Sequence, residues 1–354
     1  MKFSKTSLLT ATGFAVSAIA LASLSACGGG SSSSTPAVKT KTVSISFVPS
    51  MGTTAVSCAD VLTGVGTTAV KAKINDLRFY ISNIKMLDAN DKETPVTVDT
   101  SNWQYQYTSS VDGSSSNLSL VDLRTLDCAQ TSYNADVAFA QVTGTAAPAG
   151  PAPTTFTPTG VVTITGTVPE GTYTGVKMTL GVPEELNHLD PTAAATTPAM
   201  LLNSNAPGMS WVWASGRKHF KIEIDPENAT TAGVFTGGMT QTLASTTGGA
   251  PKVTQYPTWY SHLGNTGCSV SLSSPGGYLC TGSNQLTFHL HTFDPSTQRV
   301  AVDLAALYAG NNVTVDSSNP PGCMSGATDV ECPPMFNALN ASVHGAGIFK
   351  AIAK

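Results

Sequence analysis

Charge is scarce in this chain. Asp, Glu, Lys and Arg make up 11% of its 354 residues, against about 25% in an average soluble domain. So thin a supply is poor for long exposed helices, which need charged pairs on their outer faces. No basic patch occurs, which excludes nucleic acid as a partner. There is no Cys-x-x-Cys and no His-Glu-x-x-His, so zinc has no support from spacing. Neither a Gly-x-Ser-x-Gly in a strand–turn–helix context nor a dinucleotide-type glycine loop occurs, and heptads are missing. Beyond the N-terminus no segment has the ~18 unbroken apolar residues of a spanning helix.

The one long apolar run is at the start. Lys2 and Lys5 precede a largely apolar Leu8–Leu24, and the run closes on Leu24-Ser25-Ala26-Cys27. A positive head, an apolar middle and small residues before a cut make a secretion signal of residues 1–27. The last four residues resemble the bacterial lipoprotein box. That resemblance implies a lipidated Cys27 as the mature N-terminus and, with Gly28 rather than Asp after it, a place at the outer membrane facing the periplasm. Residues 28–39 follow as a Gly/Ser tether. Loss of Lys2 and Lys5 takes the net charge from −4 to −6. Of seven cysteines, one is taken by the lipid. The even remainder, in an oxidising compartment, favours three disulfides.

From residue 40 onward the pattern is that of strands. Residues 40–49 alternate. Residues 76–88 carry Leu77, Phe79, Ile81, Ile84 and Leu87, which demands a bulge near Asn83. Residues 161–168 read as a strand with 173–181 as its hairpin partner across the Pro169–Thr172 turn. In 211–225, Phe220, Ile222 and Ile224 alternate with Lys221, Glu223 and Asp225, an apolar face against a solvated one. Strands at 285–293 and 299–304 follow, the second running into a helical turn near Tyr308, with a short helix at 334–339. Residues 139–158 and 182–210 read as long loops. Many short strands with turns between them indicate an all-β fold, an antiparallel β-sandwich with long decorated loops, disulfide-stapled, in one domain over 40–354.

Six histidines are available. His262 lies in Thr258–Cys280, where Gly264 and Gly267 bend the chain and a Cys268–Cys280 disulfide would staple it. A neutral imidazole on such a loop is a competent transition-metal ligand and, more commonly, an ordinary polar residue. His188 sits in the 182–210 loop. His289 and His291 are two apart on a strand, so they share a face, which suits either chelation or solvation. His219 is expected to face solvent, and His344 is near the tail. Trp211 and Trp213 share one strand face, and Trp103 follows a loop. Glu184 and Glu185 read as solvated acids.

The segments DLRFYISNIKML (76–87), NWQ (102–104), LVDL (120–123), LGVPEELNHLDP (180–191), WVWASGRKHFKIEID (211–225) and HLGNTGC (262–268), in that order, resemble the MbnP-like family of copper-binding proteins, also called metallo-mystery pair four-Cys motif proteins. The likeness runs from about 43 to 340. It implies a secreted or lipid-anchored β-rich protein that is not itself an enzyme. Copper would be held by His188 and His262 together with a tryptophan oxidised to kynurenine. Trp103 is the first candidate for that oxidation and Trp211 the second. The oxidising partner would be a di-haem c-type protein of the MauG-like or MbnH-like, peroxidase-related kind. The four-cysteine pattern implies Cys58 with Cys128 and Cys268 with Cys280, and Cys323 with Cys332 would close an extra loop. Opening an indole, which is only a donor, yields an aromatic amine with a lone pair for the metal. Two departures stand out: Arg217 replaces an aromatic, and His219 looks inserted. The competing readings are a metal-free structural or adhesive β-sandwich lipoprotein, and a secreted hydrolase using Glu184, Asp190 or His262.

Overall fold

The computed structural model describes residues 38–125, 128, 158–189, 201–202, 209–211, 216–235, 237–243, 250–316, 321–326, 328–344 and 347–354. The secretion signal, Cys27, most of the tether, most of the 139–158 and 182–210 loops, Asp190 and Trp213 lie outside these residues.

The chain opens with β1 (Thr40–Met51), β2 (Thr54–Ala55), β3 (Leu62–Val65) and the 18-residue β4 (Val70–Leu87). Short strands β5 (Glu93–Pro95), β6 (Thr97–Val98) and β7 (Gln104–Thr108) lead to β8 (Ser115–Asp122). Then come β9 (Thr163–Pro169), β10 (Gly175–Leu180), a one-turn helix Glu184–Asn187 and β11 (Lys218–Pro226). The second half holds β12 (Met239–Leu243), β13 (Lys252–Tyr256), β14 (Trp259–Gly264), β15 (Thr266–Val270), β16 (Tyr278–Gly282), β17 (Leu286–Leu290) and β18 (Gln298–Asp303). A helical turn Leu304–Tyr308, β19 (Val315–Asp316), the helix Cys332–Asn340 and β20 (Phe349–Ala353) complete it.

Two sheets face each other. One runs β20-β18-β1-β9-β6 with β2 on β1; the other runs β14-β11-β4-β10-β17, with β3, β5 and β8 also on β4 and β7 on β8. Pairing is antiparallel except that β1 lies parallel to β18 and β12 to β19. Aromatic rings join the layers: Phe47 of β1 meets Phe79 of β4 edge-on at 5.6 Å, and Phe349 of β20 stacks on Phe288 of β17 at 4.1 Å. Leu77, Phe79 and Ile81 enter this core from one face of β4, as their period of two requires. The strand then steps at Asn83, whose φ is +52°, and its register against β10 shifts beside Lys177 and Thr179. That is the bulge the 76–88 pattern demands.

Two expectations need correction. Residues 161–168 and 173–181 do not form a hairpin. β9 pairs with β1 and β6, whereas β10 pairs with β4 and β17. The turn between them carries the chain from one sheet to the other, with Thr174 N donating to Leu87 O on the far side. And Lys221, Glu223 and Asp225 are buried, not solvated. β11 lies between β14 and β4, where Lys221 meets Asp76 of β4 and Glu223 meets His262 of β14.

Disulfides join Cys58 to Cys128, Cys268 to Cys280 and Cys323 to Cys332. The second links directly opposed positions of the β15–β16 hairpin. Each constrains the unfolded chain by roughly 2–4 kcal/mol. Among the described residues no helix is long and apolar enough to cross a membrane.

Candidate metal centre

His262 lies on regular strand, not on the bent loop that its flanking glycines suggest. In β14, Trp259, Ser261 and Leu263 alternate with Tyr260, His262 and Gly264. Trp259 and Leu263 enter the core, and Ser261 Oγ is 3.1 Å from the Tyr308 hydroxyl. Tyr260, His262 and Gly264 therefore share the opposite face. The backbone is held from the tail: His262 N donates to Cys323 O at 2.9 Å, and Ser325 Oγ donates to His262 O at 3.0 Å while accepting from Gly264 N at 2.8 Å.

The His262 ring is buried, with Nε2 2.6 Å from Glu223 Oε1. Glu223 belongs to a buried polar network. Lys221 Nζ lies 3.2 Å from Glu223 Oε1 and 2.8 Å from Asp76 Oδ2. Arg78 grips Asp76 through two nitrogens, its Nε at 2.8 Å from Oδ1. Arg124 grips Asp122 with Nε and Nη2, each at 2.9 Å. Burial pushes the Asp76 carboxyl up, but Arg78, Lys221 and Arg124 outweigh it and hold the group well below the usual carboxylate range. Burial also dominates at Glu223, whose carboxyl is raised despite Lys221.

His188 follows the helix Glu184–Asn187. Its half-buried ring stacks on Tyr278 at 4.2 Å, and Nε2 lies 3.3 Å from Asn187 Nδ2 and 3.4 Å from Cys280 Sγ. Burial, then Arg217, push this imidazole below its ordinary pKa, so it is neutral, the form that ligates metals. The sulfurs of Cys268 and Cys280 lie within 4.8 Å of it, but they are bonded to each other and offer no thiolate.

Arg217 builds the loop that carries His188. Its buried guanidinium donates to the carbonyls of Asn187 at 2.7 Å, Leu189 at 2.6 Å, Leu202 at 2.6 Å and, more loosely, Leu186 at 3.5 Å. Arg217 N donates to Asn187 Oδ1 at 2.9 Å. An aromatic at 217 could not collect these acceptors. His219 is fully buried rather than solvent-facing. It occupies a bulge, since the β11–β14 register shifts between Lys218 and Phe220, which accounts for its inserted look. Nδ1 accepts from Val182 N at 3.1 Å, and Nε2 faces Asn265 Oδ1 at 2.7 Å and Ser283 O at 3.0 Å. Burial takes its pKa down to about 4.

Asn265 connects the two histidine segments. It donates to Glu184 Oε1 at 2.7 Å and lies 3.4 Å from Cys280 Sγ. Glu184 is thereby half-buried, with a carboxyl raised by burial, whereas Glu185 accepts from Ser110 N at 2.7 Å. Trp211 sits on Gly264: a Cβ there would come within 2.5 Å of the indole Cζ3 and 2.6 Å of Arg217 O. Since 262 and 264 share a face, the indole lies on the His262 side of β14. Trp211 N also donates to Gly216 O at 3.1 Å, beside Arg217. Trp103 is half-buried against a separate apolar cluster that includes Leu118, Leu120, Leu186 and Met209. Contacts thus run from Trp211 to Gly264, two positions past His262, and from His188 through Cys280 to Asn265, while Trp103 packs on the apolar cluster that holds Leu186 and Leu202. His289 and His291 lie on β17 and just beyond it, at the far edge of the same sheet from β14. The His344 side chain lies outside the described set.

Residues 40–325 match the MbnP family profile. The chain belongs to the MbnP family. A solved structure of MbnP from Methylosinus trichosporium matches it at 26% identity with a TM-score of 0.64, covering 89% of this chain and 99% of that one. A comparison with curated proteins gives no match. What reasoning from sequence misses in this MbnP chain is the set behind the histidines: Glu223, Asn265 and the role of Arg217. One signal for it exists. A chain this poor in charge places Asp76 and Arg78 on one strand and Lys221, Glu223 and Asp225 on another, and such concentration is itself unusual.

His188 and His262 offer donors of the type that would fit a copper ion. Two imidazoles suit a borderline first-row ion, and carboxylate contact to the far nitrogen of a ligating histidine is a recurrent support. The Glu223–His262 contact would provide that support with His262 as a ligand.

Proposed function

We propose that this MbnP family member is a copper-binding lipoprotein, anchored through Cys27 at the periplasmic side of the outer membrane, that carries copper as cargo rather than catalysing a reaction. His188 and His262 would hold the ion. Trp211, in preference to Trp103, would be the tryptophan that a partner di-haem protein oxidises to kynurenine, adding an amine donor to the site. The observation that carries this reading is the indole of Trp211 seated on Gly264, on the His262 face, with its backbone tied to Gly216 beside the residue that organises the His188 loop. Glu223 would orient His262, and the neutral His188 ring would exchange its 3.3 Å contact with Asn187 for the metal. Copper bound there supplies an electrophilic centre able to pass between two oxidation states.

The test is peptide mass spectrometry and copper analysis of the protein from its native host. The expected result is a kynurenine mass shift on the Trp211 peptide with near-stoichiometric copper, both lost in His188→Ala/His262→Ala. A shift on the Trp103 peptide instead would overturn the choice of tryptophan. Copper without any shift would remove the haem partner. Neither copper nor shift would return the chain to the structural or adhesive reading.

A further inference from the structure

At the opposite edge of the sheet from β14, three side chains converge that the copper site does not use. β17 is an edge strand, paired only with β10 among the described strands. Leu286, Phe288 and Leu290 point inward, so His289 points outward, and His291 emerges just past the strand end on the same side. The two rings lie 5.5 Å apart between centroids and are tilted by 39°. A metal bound through one nitrogen of each ring sits about 2.0 Å from that nitrogen and roughly 3.2 Å from the centroid. Angles from square-planar to trigonal at the metal then put the centroids about 4.5–5.5 Å apart. The observed spacing is at the open end of that range, reached or closed by small side-chain rotations.

The third side chain is Asp91. Its Oδ1 is 3.0 Å from His291 Nδ1, across 200 positions of sequence. It is held on a pinned turn. Asp88 Oδ1 accepts from Asn90 N at 2.8 Å and Lys92 N at 3.0 Å, and Asp88 O accepts from Asp91 N at 3.0 Å. A carboxylate on Nδ1–H fixes the tautomer that leaves Nε2 of His291 as the donor. Lys177 is the cross-strand neighbour of His289, and its ammonium is tied to Glu93. Exposure is substantial, with the His291 side chain 48% accessible, so water can complete a coordination shell.

We infer that His289 and His291 form a second, surface metal site, oriented by Asp91, for a borderline divalent first-row cation such as Zn2+, Ni2+ or Cu2+. It is independent of the His188–His262 site. Zn2+ titrated calorimetrically into the full secreted chain tests it. A micromolar binding event is expected in wild type, absent in His289→Ala/His291→Ala and retained in His188→Ala/His262→Ala. Asp91→Asn should weaken it at least about 10-fold. Asp91 and His291 are exposed and His289 is half-exposed, and an unchanged thermal midpoint certifies the fold of each variant, the buried His262 included. Persistence of the event in His289→Ala/His291→Ala, or no event in wild type, overturns the inference. Failure of the copper reading is separate, since it is read as copper content indifferent to His188→Ala/His262→Ala.

Discussion

Replacing Arg217 by methionine keeps the aliphatic stem and removes the guanidinium. Four carbonyls lose their donor at once, three of them held at 2.6–2.7 Å. Hydrogen bonds to a charged group contribute about 1.5–3 kcal/mol each. These share one fork and are not additive, so the cost is better taken from buried charged hubs that lose one partner, about 3–5 kcal/mol. Spread over the whole domain this would lower the thermal midpoint on the order of 10 °C. Part of it will instead appear locally, because Asn187, Leu189 and Leu202 belong to the connection between β10 and β11 and are tied to the sheet through this side chain. Amide exchange should therefore accelerate at residues 186–189 and 201–202 and stay slow in β4.

The same variant should lose copper affinity, because the His188 ring is placed by the loop that Arg217 gathers. Arg217→Lys is the control. It keeps the charge but not the planar fork, so it should recover part of the midpoint and less of the affinity. A midpoint within about 2 °C of wild type, with exchange at 186–189 unchanged, would refute the argument that this guanidinium organises the site.

Three further outcomes follow from named contacts. His219 has a folded pKa of about 4 against 6.5, so the unfolded chain takes up its proton first as pH falls. Its neutral-state stability is complete above about pH 6.5 and is lost progressively down to about pH 4, roughly 3 kcal/mol in all; urea titrations at stepped pH should show that slope, and His219→Gln should flatten it. Gly264→Ala should drive the new methyl into Trp211 and Arg217 O, at a cost of about 1–3 kcal/mol, and lower both copper occupancy and tryptophan oxidation. If mass spectrometry finds both unchanged, Trp211 is not the partner of His262. Phe79→Ala, which empties the space between Phe47 and Phe349, should cost about 3–5 kcal/mol in denaturant unfolding without altering metal stoichiometry.

The apolar half of this fold is legible in sequence because burial on one face of a strand forces a period of two. Leu77-Phe79-Ile81 and Phe220-Ile222-Ile224 declare their core faces by spacing alone. The same rule misleads on the other face. Alternation says that Lys221 and Glu223 point away from the core, but not whether anything covers them there. The partners that meet them there, Asp76 and His262, are distant in sequence. Sheet membership of β9 and β10 is hidden for a similar reason. A four-residue turn permits a hairpin, and only the competing partners, β1 and β4, decide otherwise. Taking Gly264 for a bend misplaces His262, because the missing side chain there makes room for an indole instead.

The buried charges bear directly on His262. Arg78, Arg124 and Lys221 face Asp76, Asp122 and Glu223 on one sheet surface, and such a set is a weak source of stability because each ion gives up its hydration. Apolar residues of similar volume could fill that space at little or no loss. What they could not supply is a fixed acceptor 2.6 Å from His262 Nε2. An isolated buried Glu223 would take up a proton, and its hold on the ring would become that of a neutral acid. Lys221, shared at 2.8 Å with Asp76 and 3.2 Å with Glu223, opposes that rise. The order of dependence then runs from the sheet to the site: Arg78 and Arg124 keep Asp76 ionised, Asp76 fixes Lys221, Lys221 steadies Glu223, and Glu223 sets the ring of His262. A chain with few charges to place has concentrated them behind one imidazole, and orientation of that imidazole, rather than stability, is the property the arrangement delivers.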